Sequence, residues 1–274
     1  MTDPLRRRFA GYRWTPVTVG CSGATVHRLE RGDMTGYLKV AGRPAHPDPG
    51  SAHPDPGSDL AAEAERTAWL AAQGIPTAEI LDQDTGPDGG WLFTRAVPGR
   101  SAADPWPAEQ LPALVDALAA LARALHALPT ANCPYDRTLA TTLPAARRAA
   151  AAGLVDLDDL DEPRTGWSTD RLLAELDATV PAVEDVVLCH GDLCLPNVLL
   201  DPDTLRVTGL IDLGRLGRAD RYADLALTAR SLAAPVNAHQ YAPALADRFL
   251  TRYDPPGGVD ERRVAFYQLL DEFA

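Results

Sequence analysis

The sequence predicts an α+β protein with two lobes, a β-rich N-terminal lobe and a mainly α-helical C-terminal lobe. Between residues 14 and 97, short runs of alternating apolar residues are separated by glycine- and proline-containing turns, which is typical of antiparallel strands. Beyond residue 97, apolar residues recur at three- and four-residue spacing, which predicts amphipathic helices. The change falls at Val97-Pro98-Gly99, so we expect lobes of residues 1–96 and 97–274.

The charge and composition of the chain limit the kinds of molecule that it is expected to bind. The 274-residue chain carries 38 acidic and 26 basic residues, a formal net charge of -12. This charge argues against nucleic acid and anionic membranes as partners and is compatible with a cationic or metal-bound one. On charge alone, the preferred interpretation is an acidic protein that is simply soluble. The start of the chain lacks a signal-peptide pattern, no run of about 18 apolar residues occurs, and the four cysteines have no metal-like or secretory spacing. We therefore expect a cytoplasmic protein with reduced thiols.

The first strands of the N-terminal lobe carry a lysine in an unusual place. Alternation predicts strands at residues 14–19, 24–29 and 37–40, with a small-residue turn at residues 20–23. Lys39 lies in the otherwise apolar third strand, where a half-buried lysine requires an anionic partner. A strand, a small-residue turn, a second strand and a lysine on the third strand is an arrangement that places the turn over nucleotide phosphates. An edge-strand lysine that discourages aggregation is an equal alternative at this point.

A proline-rich tandem repeat follows that lysine. The heptad AHPDPGS at residues 45–51 recurs unchanged at residues 52–58. Proline at this density excludes helix and sheet ladders, so residues 41–58 are expected to form a solvated loop. Histidine and aspartate side chains in the repeat suggest a metal site as an alternative, which we disfavour because nothing fixes their geometry.

A helix is predicted after the repeat, over residues 59–73. Ser58 or Asp59 would cap its start and Gly74 would end it. Glu63 and Glu65 both lie on this helix, and either one is a possible partner for Lys39. Two more strands, at residues 79–81 and 91–94, complete the predicted lobe.

The C-terminal lobe is predicted from helical periodicity. The segments are residues 111–128, pieces within 143–180, and residues 223–233, 242–252 and 260–273. His126 near the end of the first helix is expected to be a satisfied core or capping residue. Five acids in residues 156–162 indicate, on their own, a solvated loop. Asp271 and Glu272 end the last helix, where carboxylates oppose the helix dipole, so an offsetting interaction is expected.

The stretch from residue 186 to residue 224 carries the chemistry. A short strand at residues 186–188 precedes His190-Gly191-Asp192, and Asn197 comes five residues after Asp192. Two apolar runs, residues 198–200 and 205–211, are joined by the turn-forming residues 201–204, which predicts a β-hairpin with a four-residue loop. A hairpin would bring Asn197 and Asp212 side by side. This arrangement would place a magnesium site of hard oxygen ligands next to a hydroxyl-activating carboxylate.

The motifs that surround this stretch resemble a known family. A lysine in a β-rich lobe followed by HGD, Asn197 and Asp212 is similar to the protein-kinase-like fold. The segments HGDLCLPNVLL and IDLGRLGRADRYADLAL look more specifically like the aminoglycoside phosphotransferases, in particular the 3′-phosphotransferase group. YLKV, AGLVDLDDLDE and FYQLLDEF extend this resemblance through most of the chain, although Ala274 stands where that group has an aromatic residue.

The resemblance implies ATP and Mg²⁺ as cofactors and an aminoglycoside as substrate. Asp192 would orient the substrate hydroxyl and accept its proton, while Asn197 and Asp212 would hold Mg²⁺. Nucleotide contacts are implied for Ser22, Gly23, Tyr37, Lys39, Glu63, Thr94, Ala96 and Arg215. Substrate contacts are implied for Asp159, Asp161, Glu162, Asp271, Glu272 and Ala274.

For some of these residues the resemblance implies a particular contact. Tyr37 would stack on the adenine, and the backbone of Thr94 and Ala96 would hydrogen-bond to it. Glu63 rather than Glu65 would pair with Lys39, because the number of residues between Glu63 and Trp69 matches the spacing in the family. His190 would brace the catalytic loop.

The resulting expectation is an ATP-dependent enzyme that phosphorylates the 3′-hydroxyl of aminoglycoside antibiotics and inactivates them, for resistance or producer self-protection. We expect a cytoplasmic monomer or weak homodimer. One alternative is a kinase of another cationic small molecule or a biosynthetic intermediate, and another is a non-catalytic nucleotide-binding module. A protein kinase is disfavoured, because no APE-like activation segment follows Asp212-Leu213-Gly214.

Overall fold

The computed structural model describes residues 3–17, 24–42, 56–86 and 89–274. These residues divide into two compact units, one ending at Val97 and the other comprising Pro98–Ala274. The first is built around a sheet and the second is mainly helical, so the predicted α+β class is confirmed. None of the helices in the described ranges is long and apolar enough to cross a membrane.

In its described residues, the N-terminal unit has one antiparallel sheet and two helices. In chain order its elements are α1 (Asp3–Arg8), β1 (Arg13–Val17), β2 (Thr25–Arg31), β3 (Met34–Gly42), α2 (Pro56–Ala72), β4 (Ile80–Gly86) and β5 (Gly89–Arg95). The sheet order is β1-β2-β3-β5-β4. The strand β3 that carries Lys39 is therefore central, which excludes the edge-strand explanation for this lysine.

The two faces of this sheet bury different apolar clusters. One face packs against α1, in a cluster formed by Leu5, Phe9, Leu29, Leu38, Trp91 and Phe93. The other packs against α2, through Ala41, Leu60, Ala64 and Leu92. Side chains alternate along a strand, so Lys39 lies on the same side of β3 as Ala41 and faces α2.

The C-terminal unit combines helices with two small antiparallel sheets. Its helices are α3 (Leu111–His126), α4 (Leu139–Ala151), α5 (Thr169–Thr179), α6 (Tyr222–Ala233), α7 (Ala244–Tyr253) and α8 (Glu261–Asp271). Its strands are β6 (Arg100–Ser101), β7 (Val186–Cys189), β8 (Val198–Leu200), β9 (Val207–Leu210) and β10 (Gly217–Asp220). The strands pair in the orders β6-β8-β9 and β10-β7. Helix α6 contacts α7 and α8, and most of its residues are buried.

The predicted hairpin is present, but its loop is longer than expected. Strand β9 begins at Val207 rather than at residue 205, so the loop has six residues instead of four. Leu205 has a φ of 56°, a left-handed conformation that a strand cannot contain, and its N–H donates to the Asp201 carbonyl at 2.9 Å. The side chain of Asp201 also accepts from the N–H groups of Asp203 and Thr204, which closes the turn.

Helix α2 begins earlier than the sequence indicated. It starts at Pro56 instead of at residue 59, which corrects both the predicted cap and the end of the predicted loop at residues 41–58. Proline is compatible with the first helical position, because its fixed φ suits a helix and its missing N–H would have had no partner there. The rest of the tandem repeat, with the metal alternative raised for it, lies outside the described residues.

Candidate active site

Lys39 and Glu63 form the ion pair predicted for the N-terminal unit. The Lys39 ammonium lies 2.8 and 2.9 Å from the two carboxylate oxygens of Glu63. Only 19% of the Lys39 side chain and 11% of the Glu63 side chain are exposed. Glu65, the other candidate, is exposed on α2. The pair results from alternation on β3 and from the face that α2 turns toward the sheet.

The residues predicted to contact adenine lie on β3, on β5 and directly after β5. Tyr37 is 38% exposed, an unusual value for a large aromatic residue in a central strand. It is paired with Thr94 on β5. The N–H of Ala96 donates to the Thr35 carbonyl at 2.9 Å, so adenine could use this N–H only by replacing that bond. Ser22 and Gly23, predicted to cover the phosphates, lie outside the described residues.

The loop that follows β7 requires glycine at position 191. Gly191 has a φ of 82°, in the left-handed region. A Cβ atom at this position would lie 2.2 Å from the Arg215 carbonyl oxygen, which is a severe clash. Glycine therefore lets the chain turn closely past the segment after Asp212, and Asp192 emerges from this turn.

Asp192 is held by Asn197. The Asn197 side-chain amide donates to the Asp192 backbone carbonyl at 3.0 Å and to its carboxylate Oδ2 at 2.9 Å. The Asn197 residue is only 6% exposed. A buried amide with two such bonds fixes the direction of the carboxylate it contacts.

The β8–β9 hairpin brings Asn197 and Asp212 together, as predicted. Val198 pairs with Leu210, and the Ile211 N–H donates to the Asn197 carbonyl at 3.1 Å. Asp212 then adopts a left-handed conformation, with φ 60° and ψ 56°. A non-glycine residue in this region has a conformational cost, and such residues are concentrated at functional sites.

His190 braces this loop, as the resemblance implied. Its Nε2 lies 3.1 Å from the Ile211 carbonyl oxygen, and its Nδ1 accepts from the Asp192 N–H at 3.2 Å. A carbonyl can only accept, so these two contacts assign the proton to Nε2. His190 thus links the loop before Asp192 to the strand end before Asp212.

A buried polar network lies behind the loop, centred on Asp224. Its carboxylate accepts from the N–H groups of His190 and Gly191, both at 2.8 Å. His126 lies 3.1 Å from the same carboxylate through Nε2 and 2.7 Å from the Tyr253 hydroxyl through Nδ1. The expectation of a satisfied core histidine at position 126 is therefore correct.

His126, Cys189 and Asp224 also lie close enough together to suggest a metal site. Hydrogen bonds already engage the carboxylate of Asp224 and both ring nitrogens of His126. Burial raises the pKa of the Cys189 thiol, which disfavours the thiolate that a metal requires. These groups form a hydrogen-bonded core network instead.

The acids at the end of α8 are paired with arginines. Three of the predicted substrate carboxylates, on Asp161, Asp271 and Glu272, form ion pairs with Arg164, Arg215 and Arg230. Arg230 bridges Asp161, at 3.4 Å, and Asp271. Arg164 lies 3.3 Å from Glu272 and 3.4 Å from Asp161. These arginines supply the interaction expected to offset the unfavourable helix dipole.

Sequence reasoning missed two members of this cluster and assigned a different role to the third. Arg164 and Arg230 were not singled out, although carboxylates at a helix C-terminus are a signal for nearby cations. Arg215 was expected near the nucleotide phosphates, but its guanidinium lies 2.8 Å from Asp271. The remaining predicted substrate positions, Asp159, Glu162 and Ala274, are exposed.

Comparison with known proteins places this chain in a family. A sequence profile described as "Phosphotransferase enzyme family" matches residues 13–267. An aminoglycoside 3′-phosphotransferase from Streptomyces fradiae is 50% identical over 272 residues, which cover 98% of each chain.

Two solved structures resemble this fold over nearly the whole chain. The crystal structure of an aminoglycoside-3′-phosphotransferase of type VIII has a TM-score of 0.88 and 50% identity, covering 99% of this chain and 97% of that one. The phosphotransferase APH(3'')-Id from Streptomyces rimosus, in complex with ADP and streptomycin, has a TM-score of 0.80 and 36% identity, covering 98% and 95%. The predicted kinase-like fold is confirmed by these neighbours. The chain belongs to the phosphotransferase enzyme family, in the group formed by the aminoglycoside phosphotransferases.

Proposed function

We propose that this protein transfers the γ-phosphoryl group of ATP to the 3′-hydroxyl of an aminoglycoside antibiotic and thereby inactivates it. The observation that carries the proposal is the Asp192 carboxylate held by Asn197, next to the hairpin that delivers Asp212. Relatives named aminoglycoside 3′-phosphotransferases that are 50% identical over nearly the full chain support the choice of acceptor.

Asp192 has the chemistry required at the acceptor. Its carboxylate would accept a hydrogen bond from the acceptor hydroxyl, direct that oxygen toward the γ-phosphorus and take up its proton. Phosphoryl transfer depends mainly on positioning and charge neutralisation, so orientation by Asn197 matters as much as basicity.

The donor set next to Asp192 fits a magnesium ion. Because the Asn197 amide nitrogen faces Asp192, its carbonyl oxygen Oδ1 is the atom left to act as a ligand. Asp212 contributes a carboxylate, so both proposed ligands are the hard oxygens that Mg²⁺ prefers. When bound, Mg²⁺ would neutralise negative charge on the ATP phosphates.

Nucleotide binding is proposed for the N-terminal unit. The Lys39 ammonium would contact the α- and β-phosphates while Glu63 holds it in place. Tyr37 presents an exposed aromatic surface on which adenine would stack. The backbone of Thr94 and Ala96 would form hydrogen bonds to the base, with Ala96 exchanging its bond to Thr35. Ser22 and Gly23 are proposed to cover the phosphates.

The acidic side chains are proposed to bind the ammonium groups of the substrate. Asp161, Asp271 and Glu272 are balanced by three arginines in the structure, so these six side chains carry no net charge together. Asp159 and Glu162 are exposed and add negative charge at the same segment. The charge of Asp159 and Glu162 would raise the local concentration of a polycation, and the three balanced carboxylates would orient it.

A panel of acceptors tests the proposal. ATP consumption by the purified protein would be measured with aminoglycosides that carry a 3′-hydroxyl and with their 3′-deoxy counterparts, with product phosphorylation confirmed by mass spectrometry. Turnover with the 3′-hydroxyl compounds alone is expected. Equal turnover with the 3′-deoxy compounds would contradict the proposed position of phosphorylation.

Streptomycin is a second candidate acceptor. A structural neighbour at 36% identity is described in complex with ADP and streptomycin. Streptomycin therefore belongs in the same panel, and turnover with it but not with the 3′-hydroxyl compounds would select that alternative. Cytoplasmic location and a monomeric or weakly dimeric state stay predictions.

A further inference from the structure

One side of helix α6 lies against the backbone of the loop that carries Asp192. Asp224, Thr228 and Ser231 follow one another at four- and three-residue spacing, so their side chains project from the same side of the helix. Each forms a hydrogen bond with a different part of the loop at residues 190–195. The contacts of Asp224 with the start of this loop have been described above.

Thr228 contacts the residue directly after Asp192. Its hydroxyl lies 2.6 Å from the Leu193 carbonyl oxygen and 2.9 Å from the carbonyl of Asp224, one turn earlier in the helix. Thr228 and Leu193 are each 2% exposed, so water does not reach this bond. Within the described part of the chain, no other donor contacts the Leu193 carbonyl.

Ser231 contacts the loop two residues further on. Its Oγ accepts a hydrogen bond from the Leu195 N–H at 3.0 Å. Leu195 is fully buried, so an alternative acceptor from solvent is excluded. The Ser231 bond thus fixes the backbone just before Asn197, the residue that orients the Asp192 carboxylate.

We propose that Thr228 and Ser231 are positioning residues that hold the Asp192 loop in the geometry required for phosphoryl transfer. Asp224 binds the N–H of Gly191 and Thr228 binds the carbonyl of Leu193, so the backbone is fixed on both sides of Asp192. Both hydroxyls act on the backbone and not on a reacting group. This inference rests on the proposed phosphotransferase function.

A helical threonine usually has a simpler role, and the chain provides an example. Thr142 in α4 also donates its hydroxyl to a carbonyl four residues earlier, that of Thr138, at 3.2 Å. Such a bond satisfies the hydroxyl within its own part of the chain. Thr142→Val is therefore a matched control, since it removes the same type of hydroxyl without touching the catalytic loop.

The test compares two variants of Thr228. Thr228→Val keeps the shape of the side chain and removes the hydroxyl, whereas Thr228→Ser keeps the hydroxyl. Ser231→Ala tests the second positioning residue, and Thr142→Val is the control. Steady-state kinetics would be measured below the melting temperature of every variant. Because small misplacements of reacting groups cost large factors in rate, Thr228→Val should lower kcat about tenfold or more, with the KM for ATP and acceptor changed less than about twofold. Thr228→Ser should restore most of the rate, and the same factor should appear with two different aminoglycosides. Ser231→Ala should lower kcat in the same direction, and Thr142→Val should not change it.

Several outcomes would overturn the inference. A folded Thr228→Val protein with the wild-type kcat would exclude a positioning role, as would failure of Thr228→Ser to restore the rate. If Thr228→Val does not fold, Ser231→Ala decides, and an unchanged kcat in that variant would exclude the role. A wild-type protein that phosphorylates no acceptor would instead overturn the proposed function, and with it the reaction on which this inference depends.

Discussion

The side-chain amide of Asn197 donates to both the backbone carbonyl and the carboxylate of Asp192, at 3.0 and 2.9 Å. One residue therefore orients the proposed catalytic carboxylate, and its own carbonyl oxygen is the atom proposed to bind the metal ion. The Ile211 N–H donates to the Asn197 carbonyl, and this bond brings the next residue, Asp212, close to Asn197. In the proposed mechanism, orientation of the acceptor and binding of the cation would thus both depend on this single buried side chain.

Replacing Asp192 tests this arrangement. Asp192→Asn keeps the shape of the side chain but removes its negative charge and its capacity to accept the hydroxyl proton. We expect kcat to fall about 10²- to 10⁴-fold, the range typical of general acid–base groups. ADP affinity, measured by calorimetry, should stay near the wild-type value, because the proposed partner of Asp192 is the acceptor. Near wild-type turnover would contradict the assignment.

The ion pair in the N-terminal unit gives a second prediction. Glu63→Gln removes the carboxylate that holds Lys39, so the ammonium loses two charge-assisted contacts. A hydrogen bond to a charged group contributes about 1.5–3 kcal/mol, so the KM for ATP should rise roughly tenfold or more. Glu65→Gln is the matched control, because Glu65 lies on the same helix with an exposed side chain. Equal effects of the two variants would remove the ion pair from nucleotide binding.

The parts of this fold that sequence predicts well have local causes. The strand that carries Lys39 and the hairpin beside Asp192 depend on alternation and turn residues, which are visible in short stretches of sequence. The local pattern left Glu63 and Glu65 as equal partners for Lys39, and only the family resemblance selected Glu63. Strand β10 was missed because Gly217-Arg218-Ala219-Asp220 has no apolar run. It becomes a strand by pairing with β7, where Gly217 lies opposite Cys189.

The arginine cluster could not be predicted for a different reason. Arg164, Arg215 and Arg230 come from three segments that are distant in sequence, and each reaches Asp271 or Glu272 by tertiary packing. Local pattern predicts only that Asp271 and Glu272 need cations, not which residues provide them. The short helix α1 was likewise missed, because its six residues are too few to show a periodicity.

Asp271 provides a third prediction, on substrate binding. Asp271→Asn removes the carboxylate that Arg215 and Arg230 share, and with it one proposed partner for a substrate ammonium. Loss of one charge-assisted contact, about 1.5–3 kcal/mol, should raise the aminoglycoside KM roughly tenfold or more, with a smaller change in the KM for ATP. Asp177→Asn is a suitable control, since Asp177 is also paired with an arginine, Arg147, but on an exposed surface. Equal changes in both KM values would remove Asp271 from the substrate site.

Glu272 gives a prediction about pH and stability. Burial, and then the neighbouring Asp161 carboxylate, raise the pKa of Glu272 above its ordinary value of 4.5, although Arg164 and Arg230 oppose this shift. A carboxyl group with a raised pKa holds its proton more tightly in the folded state than in the unfolded state. Its stabilising contribution is therefore complete below the unfolded pKa and is lost as pH rises through the folded pKa.

Glu272→Gln removes this titration and leaves the other groups in place. The free energy of unfolding of the wild type minus that of the variant should therefore decrease as pH rises from about 4 to 7, and chemical denaturation at each pH measures this difference. A difference that increases over the same range would mean that the folded pKa of Glu272 is lowered. In that case the Arg164 ion pair would outweigh burial, and the Glu272 carboxylate would be a net source of stability at neutral pH.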